Sequence, residues 1–256
     1  MQMQRTVHSA GRGAHHTNRM KFQSYGETHP GRVRERNEDA VLVRGDLGLF
    51  AVADGVGGLP DGDYASSRAL ELLSDKIGEA GAVAVVDLEG ILAGINRTIF
   101  LEGRRRHPRL GIATTLTCLL WRDERIRIGH TGDSMIWRLR DNHLRTITTE
   151  HTVAAEIQGR RESVPSEKMP DQFYHTLTRC IGESDPFAPE IIAMEAIPDD
   201  RFLLATDGLT KVVRRQEIHA LLHAARTPED AVKALMKKAL AMGAPDNVSI
   251  VALFVA

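Results

Sequence analysis

Residues 114–147 read TTLTCLLWRDERIRIGHTGDSMIWRLRDNHLRTI, and this stretch decides the fold. Four short runs, at 114–121, 125–131, 134–140 and 143–147, are rich in apolar, aromatic and β-branched residues. Arg122-Asp123, Gly132-Asp133 and Asp141-Asn142 separate them. Runs of this length, bounded by turn-forming pairs, read as strands joined by tight turns. The expectation is an antiparallel meander.

The same signals extend outward. VLVRGDLGLFAVA (41–53) reads as two strands around a turn at Gly45-Asp46. Ala65, Ala69, Leu72, Leu73 and Ile77 recur at helical spacing, predicting a helix over about 63–77, and a second fits about 87–102. A short helix fits 151–158, strands fit 190–196 and 201–205, and helices fit 216–225 and 228–242. NVSIVALFV (247–255) reads as a buried strand. Residues 159–175 are charged, proline-containing and aperiodic, and read as a surface loop or flap. Strands grouped with strands and helices with helices predict an α+β domain of two sheets covered by helices, spanning 21–256. Residues 1–20 read as a disordered extension: Arg5, Arg12, Arg19, His8, His15 and His16 lie there without an acid, and no apolar h-region follows. Order is expected from Lys21-Phe22, and Met20 is an alternative start.

Composition narrows the function. The 256 residues are 42% hydrophobic, enough for a sizeable core. Lys+Arg is 33 against 34 Asp+Glu, a net charge of -1, which argues against a dedicated nucleic-acid binder. No run approaches the roughly 20 apolar residues of a membrane span. Cys118 and Cys180 are far apart and in no metal spacing, which fits a reducing cytoplasm.

The carboxylates carry the chemistry. Asp54-Gly55 ends the strand LFAVA, and Asp207-Gly208 ends the strand FLLAT. Asp133 lies in the turn between two strands, and Asp246 directly precedes the last one. Any single Asp-Gly is a turn. Four acids at strand ends, with Asn37-Glu38-Asp39, repel one another unless a cation sits between them. Oxygen-only ligands favour Mg²⁺ or Mn²⁺.

The ordered series Arg34-x-x-Asn37-Glu38-Asp39, Ala53-Asp54-Gly55-Val56-Gly57-Gly58, Thr114-Thr115-Leu116, Gly132-Asp133-Ser134, Leu177-Thr178-Arg179-Cys180-Ile181-Gly182, Thr206-Asp207-Gly208-Leu209 and Asp246-Asn247 resembles the type-2C metal-dependent (PPM) Ser/Thr protein phosphatases in their compact bacterial form. The resemblance implies an α-β-β-α sandwich of two antiparallel sheets flanked by helix pairs. It implies two Mn²⁺ or Mg²⁺ ions, with a third at a weaker site. Asp54 would bridge two ions. Asp207 and Asp246 would ligate one, and the Gly55 carbonyl the other. Glu38, Asp39 and Thr115 would position waters, Asn247 would brace Asp246, and Asp133 with Asp207 would form the third site. Arg34 would clamp the substrate phosphate, and a hydroxide bridging the metals would attack it. Residues 159–175 fall at the family's variable flap.

Two positions depart from the pattern. Val56 stands where some members carry a histidine proposed as general acid, so His151 is a further candidate for that role. Lys211, four after Asp207, stands where an acid often supports the metals. It either weakens metal occupancy, above all at the third site, or points to solvent.

Rival chemistries lack their motifs. Position six after Cys118 is Glu124 and after Cys180 is Pro186, so no Cys-x5-Arg exists. Ser134 lacks a Gly-x-Ser-x-Gly frame, and no phosphate-binding Gly-x4-Gly-Lys loop is present. His130 and His175 read as packing or surface residues. Arg104-Arg105-Arg106 and Arg160-Arg161 read as solvated faces, with docking of acidic or phosphorylated partners as the sharper alternative. The sequence therefore predicts a cytoplasmic, monomeric phosphatase acting on phosphoserine and phosphothreonine proteins, with a bacterial Ser/Thr kinase and its substrates as partners. The alternatives are a catalytically weak regulator of the same fold that binds a phosphoprotein or kinase, and a hydrolase of small phosphoesters.

Overall fold

A computed structural model describes residues 21–81, 86–123, 125–159, 169–184 and 186–256, with the backbone of 7–9. Strands β1 (Val7–Ser9), β2 (Phe22–His29), β11 (Val248–Val255), β10 (Arg201–Ala205), β7 (Met135–Arg140) and β8 (His143–Thr146) form one sheet in that order. Strands β3 (Asp39–Arg44), β4 (Leu49–Asp54), β5 (Leu116–Arg122), β6 (Arg125–Thr131) and β9 (Glu190–Glu195) form the other. Every pairing in both is antiparallel. Helices α1 (Gly62–Ala80) and α2 (Leu88–Arg106) cover the five-stranded sheet. Helices α6 (Arg215–Ala224) and α7 (Pro228–Ala241) cover the six-stranded one. The expected α-β-β-α sandwich is the observed fold.

Strand alternation explains why the central runs are apolar throughout. Successive side chains point to opposite faces, and here both faces are covered. Phe50 and Val52 of β4 join Phe202 and Leu204 of β10 and Val251 and Leu253 of β11 between the sheets. Leu49, Ala51 and Ala53 face α1 and α2, while Leu203, Ile250 and Ala252 face α6 and α7. The helices match this with one apolar stripe each. Ala65, Ala69, Leu73 and Ile77 are the buried side of α1, and Leu88, Leu92, Ile95 and Ile99 that of α2. Asp87 caps α2 by accepting from the Gly90 N–H, and Thr227 with Asp230 forms a capping box at α7, where Pro228 takes the first turn.

The expected meander is two hairpins instead. β5 pairs with β6 in one sheet, and β7 pairs with β8 in the other. Gly132–Ser134 carries the chain across the sandwich, and β7 pairs with β10 rather than β6. Gly132 has φ 116 and lies so close to Thr115 that a Cβ would meet Cγ2 at 2.5 Å. A short Gly-containing connection signals reversal of the chain but not which sheet receives the next strand.

Three further differences concern weakly patterned segments. FQSYGETH (22–29) carries little apolar signal, yet β2 is an inner strand between β1 and β11. Val7–Ser9, within the expected disordered extension, pair with Gly26, Tyr25 and Ser24; the rest of 1–20 lies outside the described residues. Within the predicted flap 159–175, Gly159 ends α3 (Val153–Gly159) and Gln172–His175 form the short α4, while 160–168 lie outside the described residues. No described helix is long and apolar enough to cross a membrane.

Candidate metal centre

Five strand ends converge at one rim of the sandwich. Asp39 opens β3 directly opposite Asp54, which closes β4. Ala205 of β10 pairs with Ile250 of β11, so Asp207, just past β10, and Asp246, just before β11, emerge on the same side. Asp133 sits in the crossing between β6 and β7. The sequence-predicted carboxylates Asp39, Asp54, Asp133, Asp207 and Asp246 are thus gathered at one place, near enough that Asp39, Asp207, Asp133 and Asp246 all act electrostatically on Asp54.

Their surroundings are built by backbone ties. Asn247 Oδ1 accepts from the Glu38 N–H (2.8 Å), and its Nδ2 donates to the Pro30 (3.0 Å) and Arg36 (2.9 Å) carbonyls. The Asn247 N–H donates to Asp246 Oδ1 at 3.0 Å, so this residue both seats Asp246 and holds the Arg34-bearing loop. Thr115 Oγ1 accepts from the Asp54 N–H (2.9 Å) and bonds the Ser134 hydroxyl (3.0 Å). Thr206 donates to Asp39 Oδ2 at 2.8 Å and accepts from the Ser249 N–H at 3.0 Å. Glycine follows two of the acids for packing reasons. A Cβ at Gly55 would meet the Gly62 carbonyl oxygen at 2.5 Å, and one at Gly208 would collide with the Asn247 carbonyl. Glu38 is partly buried against Gly62 at the start of α1, and burial, with Asp63 nearby, raises its pKa.

Burial without compensation marks one part of the rim. It pushes Asp39 up to about 7, with Asp207 adding to the rise against hydrogen bonds from Ser249 and Thr206. Asp54 is raised well above the usual carboxylate range by burial first, then by its acidic neighbours. Burial and Asp207 push Asp133 up to about 7, partly opposed by Lys211. The buried oxygens Asp39 Oδ1 and Asp207 Oδ1 accept no hydrogen bond among the described residues.

Asp246 differs. Arg34 holds it with both arms of its guanidinium, Nε to Oδ1 at 2.9 Å and Nη2 to Oδ2 at 3.2 Å. Lys211 Nζ lies 2.8 Å from Asp246 Oδ2 and 2.6 Å from Asp207 Oδ2. Burial alone would raise Asp246, but Lys211 and Arg34 outweigh it and the pKa falls. In this structure Lys211 therefore faces the carboxylates and not solvent. Burial opposes its charge, yet pairing with Asp207 and Asp246 raises the ammonium's pKa.

One candidate role changes in structural context. His151 is buried, its Nδ1 accepts from the Gly132 N–H at 3.1 Å, and burial pushes its pKa down to about 4. A neutral ring that braces the Asp133 connector is poorly suited to be an acid at neutral pH. The ligand atoms of His130, His151 and Glu190 lie within 4.8 Å of one another. His130 Nε2 faces the Thr149 carbonyl (2.9 Å), which can only accept, so Nδ1 accepts from Thr117 (2.8 Å) and no ring lone pair is left for a metal. Burial pushes the Cys118 and Cys180 thiols up to about 12, consistent with no thiolate chemistry. Of the arginine runs, Arg104 donates to the Pro108 carbonyl and Arg106 pairs with Asp61, while Arg160-Arg161 lie outside the described residues.

Sequence reasoning missed the Thr206–Asp39 bond and the double pairing of Lys211. The i to i+4 spacing of Asp207 and Lys211 was the available signal for the second.

An all-oxygen donor set with orphaned, buried carboxylate oxygens fits a hard divalent cation. Fold and donor set together are those of a metal-dependent phosphatase. The chain belongs to the protein phosphatase 2C family, whose model matches residues 26–242. It is 28% identical to the serine/threonine phosphatase stp of Listeria monocytogenes over 231 residues, 87% of this chain and 92% of that one. Its fold superposes with a TM-score of 0.79 on PppA, a key regulatory component of T6SS in Pseudomonas aeruginosa, at 29% identity, covering 92% of this chain and 98% of that one. The catalytic domain of the serine/threonine protein phosphatase PstP, solved in complex with two manganese ions, gives a TM-score of 0.78 at 30% identity, covering 92% of this chain and 98% of that one.

Proposed function

We propose that this chain hydrolyses phosphoserine and phosphothreonine in proteins with Mn²⁺ or Mg²⁺ held at the carboxylate rim. The observation that carries this is the group of buried acids around Asp54, with orphaned oxygens on Asp39 and Asp207, beside the exposed guanidinium of Arg34. Asp54, the Gly55 carbonyl, Asp207 and Asp246 would hold two ions. Asp133 with Asp207 would hold a third, and Glu38, Asp39 and Thr115 would orient waters. Such ions supply positive charge for the phosphate oxygens and lower the pKa of a water so that it attacks phosphorus.

The chain's own residues do the positioning. Arg34 uses Nε and Nη2 on Asp246, which leaves N–H donors of its planar fork for the phosphate. Asn247 keeps that loop in register with β11. Neither Val56 nor the neutral His151 serves as a proton donor, so the leaving serine or threonine oxygen takes its proton from water. The substrates would be cytoplasmic phosphoproteins, among them a bacterial Ser/Thr kinase and its targets, and the enzyme would act as a monomer. The pairing of Lys211 with Asp207 and Asp246 favours one second reading, a regulator of the same fold with little turnover.

Phosphate release from a phosphothreonine peptide tests the proposal. Wild type with Mn²⁺ is expected to turn over, and both EDTA and Asp207→Asn to abolish it. A folded wild type that releases no phosphate at millimolar Mn²⁺ would favour the regulator. A much higher kcat/KM on a small phosphoester than on the peptide would point to the small-molecule hydrolase.

A further inference from the structure

We infer that Lys211 is a tethered cation that occupies the Asp207–Asp246 side of the rim and must be displaced for a divalent ion to bind there. The inference rests on the metal-dependent reading above and adds what sets the metal concentration at which the site fills.

The contact is built by local structure. Asp207–Thr210 form the single turn α5, and the Lys211 N–H donates to the Asp207 carbonyl at 2.8 Å. Residues 207 and 211 therefore share a helical face, where an acid four positions before a lysine pairs in the favourable orientation. Asp246 closes on the same ammonium from the start of β11.

The lone pairs of Asp246 are then fully engaged. Oδ1 accepts from Arg34 Nε and the Asn247 N–H, and Oδ2 accepts from Arg34 Nη2 and Lys211 Nζ. Asp207 keeps Oδ1 without a partner among the described residues, but its Oδ2 is on Lys211. An ion that draws on both carboxylates needs oxygen lone pairs that the ammonium already uses, and it meets a positive charge at hydrogen-bond distance. Arg34 is anchored twice on Asp246. Lys211 hangs on a flexible stem whose side chain is 28% exposed, so it is the group that can swing out. Two states follow: one with the ammonium between Asp207 and Asp246, the other with the divalent ion there and Lys211 turned to solvent.

Isothermal titration of Mn²⁺ into chelator-treated protein tests this, with thermal unfolding in EDTA and in Mn²⁺ as a second readout. Lys211→Met and Lys211→Gln are expected to bind Mn²⁺ about tenfold more tightly than wild type, the shift expected when one competing charge-assisted contact is removed. Both should gain more in Tm from Mn²⁺ than wild type does. Lys211→Arg, which keeps a cation there, should bind like wild type and guards against a general packing effect. Equal Mn²⁺ affinity in wild type, Lys211→Met and Lys211→Gln would overturn the inference while leaving the metal reading intact. No Mn²⁺ binding by any of the four proteins would overturn both.

Discussion

The rim has two halves that treat the same functional group in opposite ways. Asp39, buried, and Asp54, half-buried, face one another across a strand pair, with no lysine or arginine paired to either among the described residues, and their pKa values rise. Asp246, a few residues from the end of a neighbouring sheet, is clasped by Arg34 and Lys211, and its pKa falls. The difference lies in what each carboxylate touches, not in its residue type. One half is a negative charge waiting for a counter-ion, and the other already carries one.

Asp207 belongs to both halves, touching Lys211 through one oxygen while the other has no partner among the described residues. Its loss should have the largest effect. Asp207→Asn is expected to lower kcat by at least about a thousandfold, on the scale of removing a central electrostatic group from an active site. Circular dichroism should show the fold retained.

Stability in EDTA separates the halves by sign. At pH 8, Asp54→Asn removes a buried charge with acidic neighbours and should stabilise the metal-free protein by about 2 kcal/mol. Asp246→Asn leaves Arg34 and Lys211 short of a partner and should destabilise it by about 1 kcal/mol. Urea titration of both variants reads the two signs. Shifts in the same direction would dissolve the comparison.

His130 is a different case, a buried titratable group outside the carboxylate set whose ring nitrogens both have hydrogen-bond partners. Burial, with His151 beside it, depresses its folded pKa to about 3, below the ordinary value of about 6.5. The neutral ring's contribution is therefore present above pH ~6.5 and is lost as pH falls from there toward ~3, because the unfolded chain takes up the proton first. Between pH ~6.5 and ~5 wild type should lose about 2 kcal/mol through this group. His130→Gln should show a correspondingly shallower fall in Tm over that range.

On catalysis, a smaller effect than that at Asp207 is expected at Arg34. Arg34→Lys keeps the charge but loses the planar fork, and kcat/KM on a phosphothreonine peptide should fall about tenfold with Mn²⁺ affinity little changed.

Much of this was legible in the amino-acid order. Apolar runs and helical spacing indicated two sheets covered by helices, the Asp-Gly strand ends indicated the acids that meet at the rim, and the family resemblance added the sandwich. What escaped had physical causes. The crossing at Gly132–Ser134 looks like a hairpin turn, because a Gly-Asp pair between two strand-like runs signals reversal and does not say which sheet receives β7. β2 escaped because its polar sequence gives little periodic signal, although β11 pairs along its whole length. His151 read as a proton donor because its ring's use as a hydrogen-bond acceptor for the Gly132 N–H depends on a contact between distant segments. Lys211 stood out by its departure from the family pattern, but its direction required Asp246 in place.

The most direct measurement is Mn²⁺ titration, by calorimetry and Tm together, of wild type against Asp54→Asn. Wild type should bind two ions and gain several degrees in Tm, and Asp54→Asn should lose most of both while remaining folded. Equal binding by the two proteins, or none by wild type at millimolar Mn²⁺, would contradict a metal centre built on Asp54.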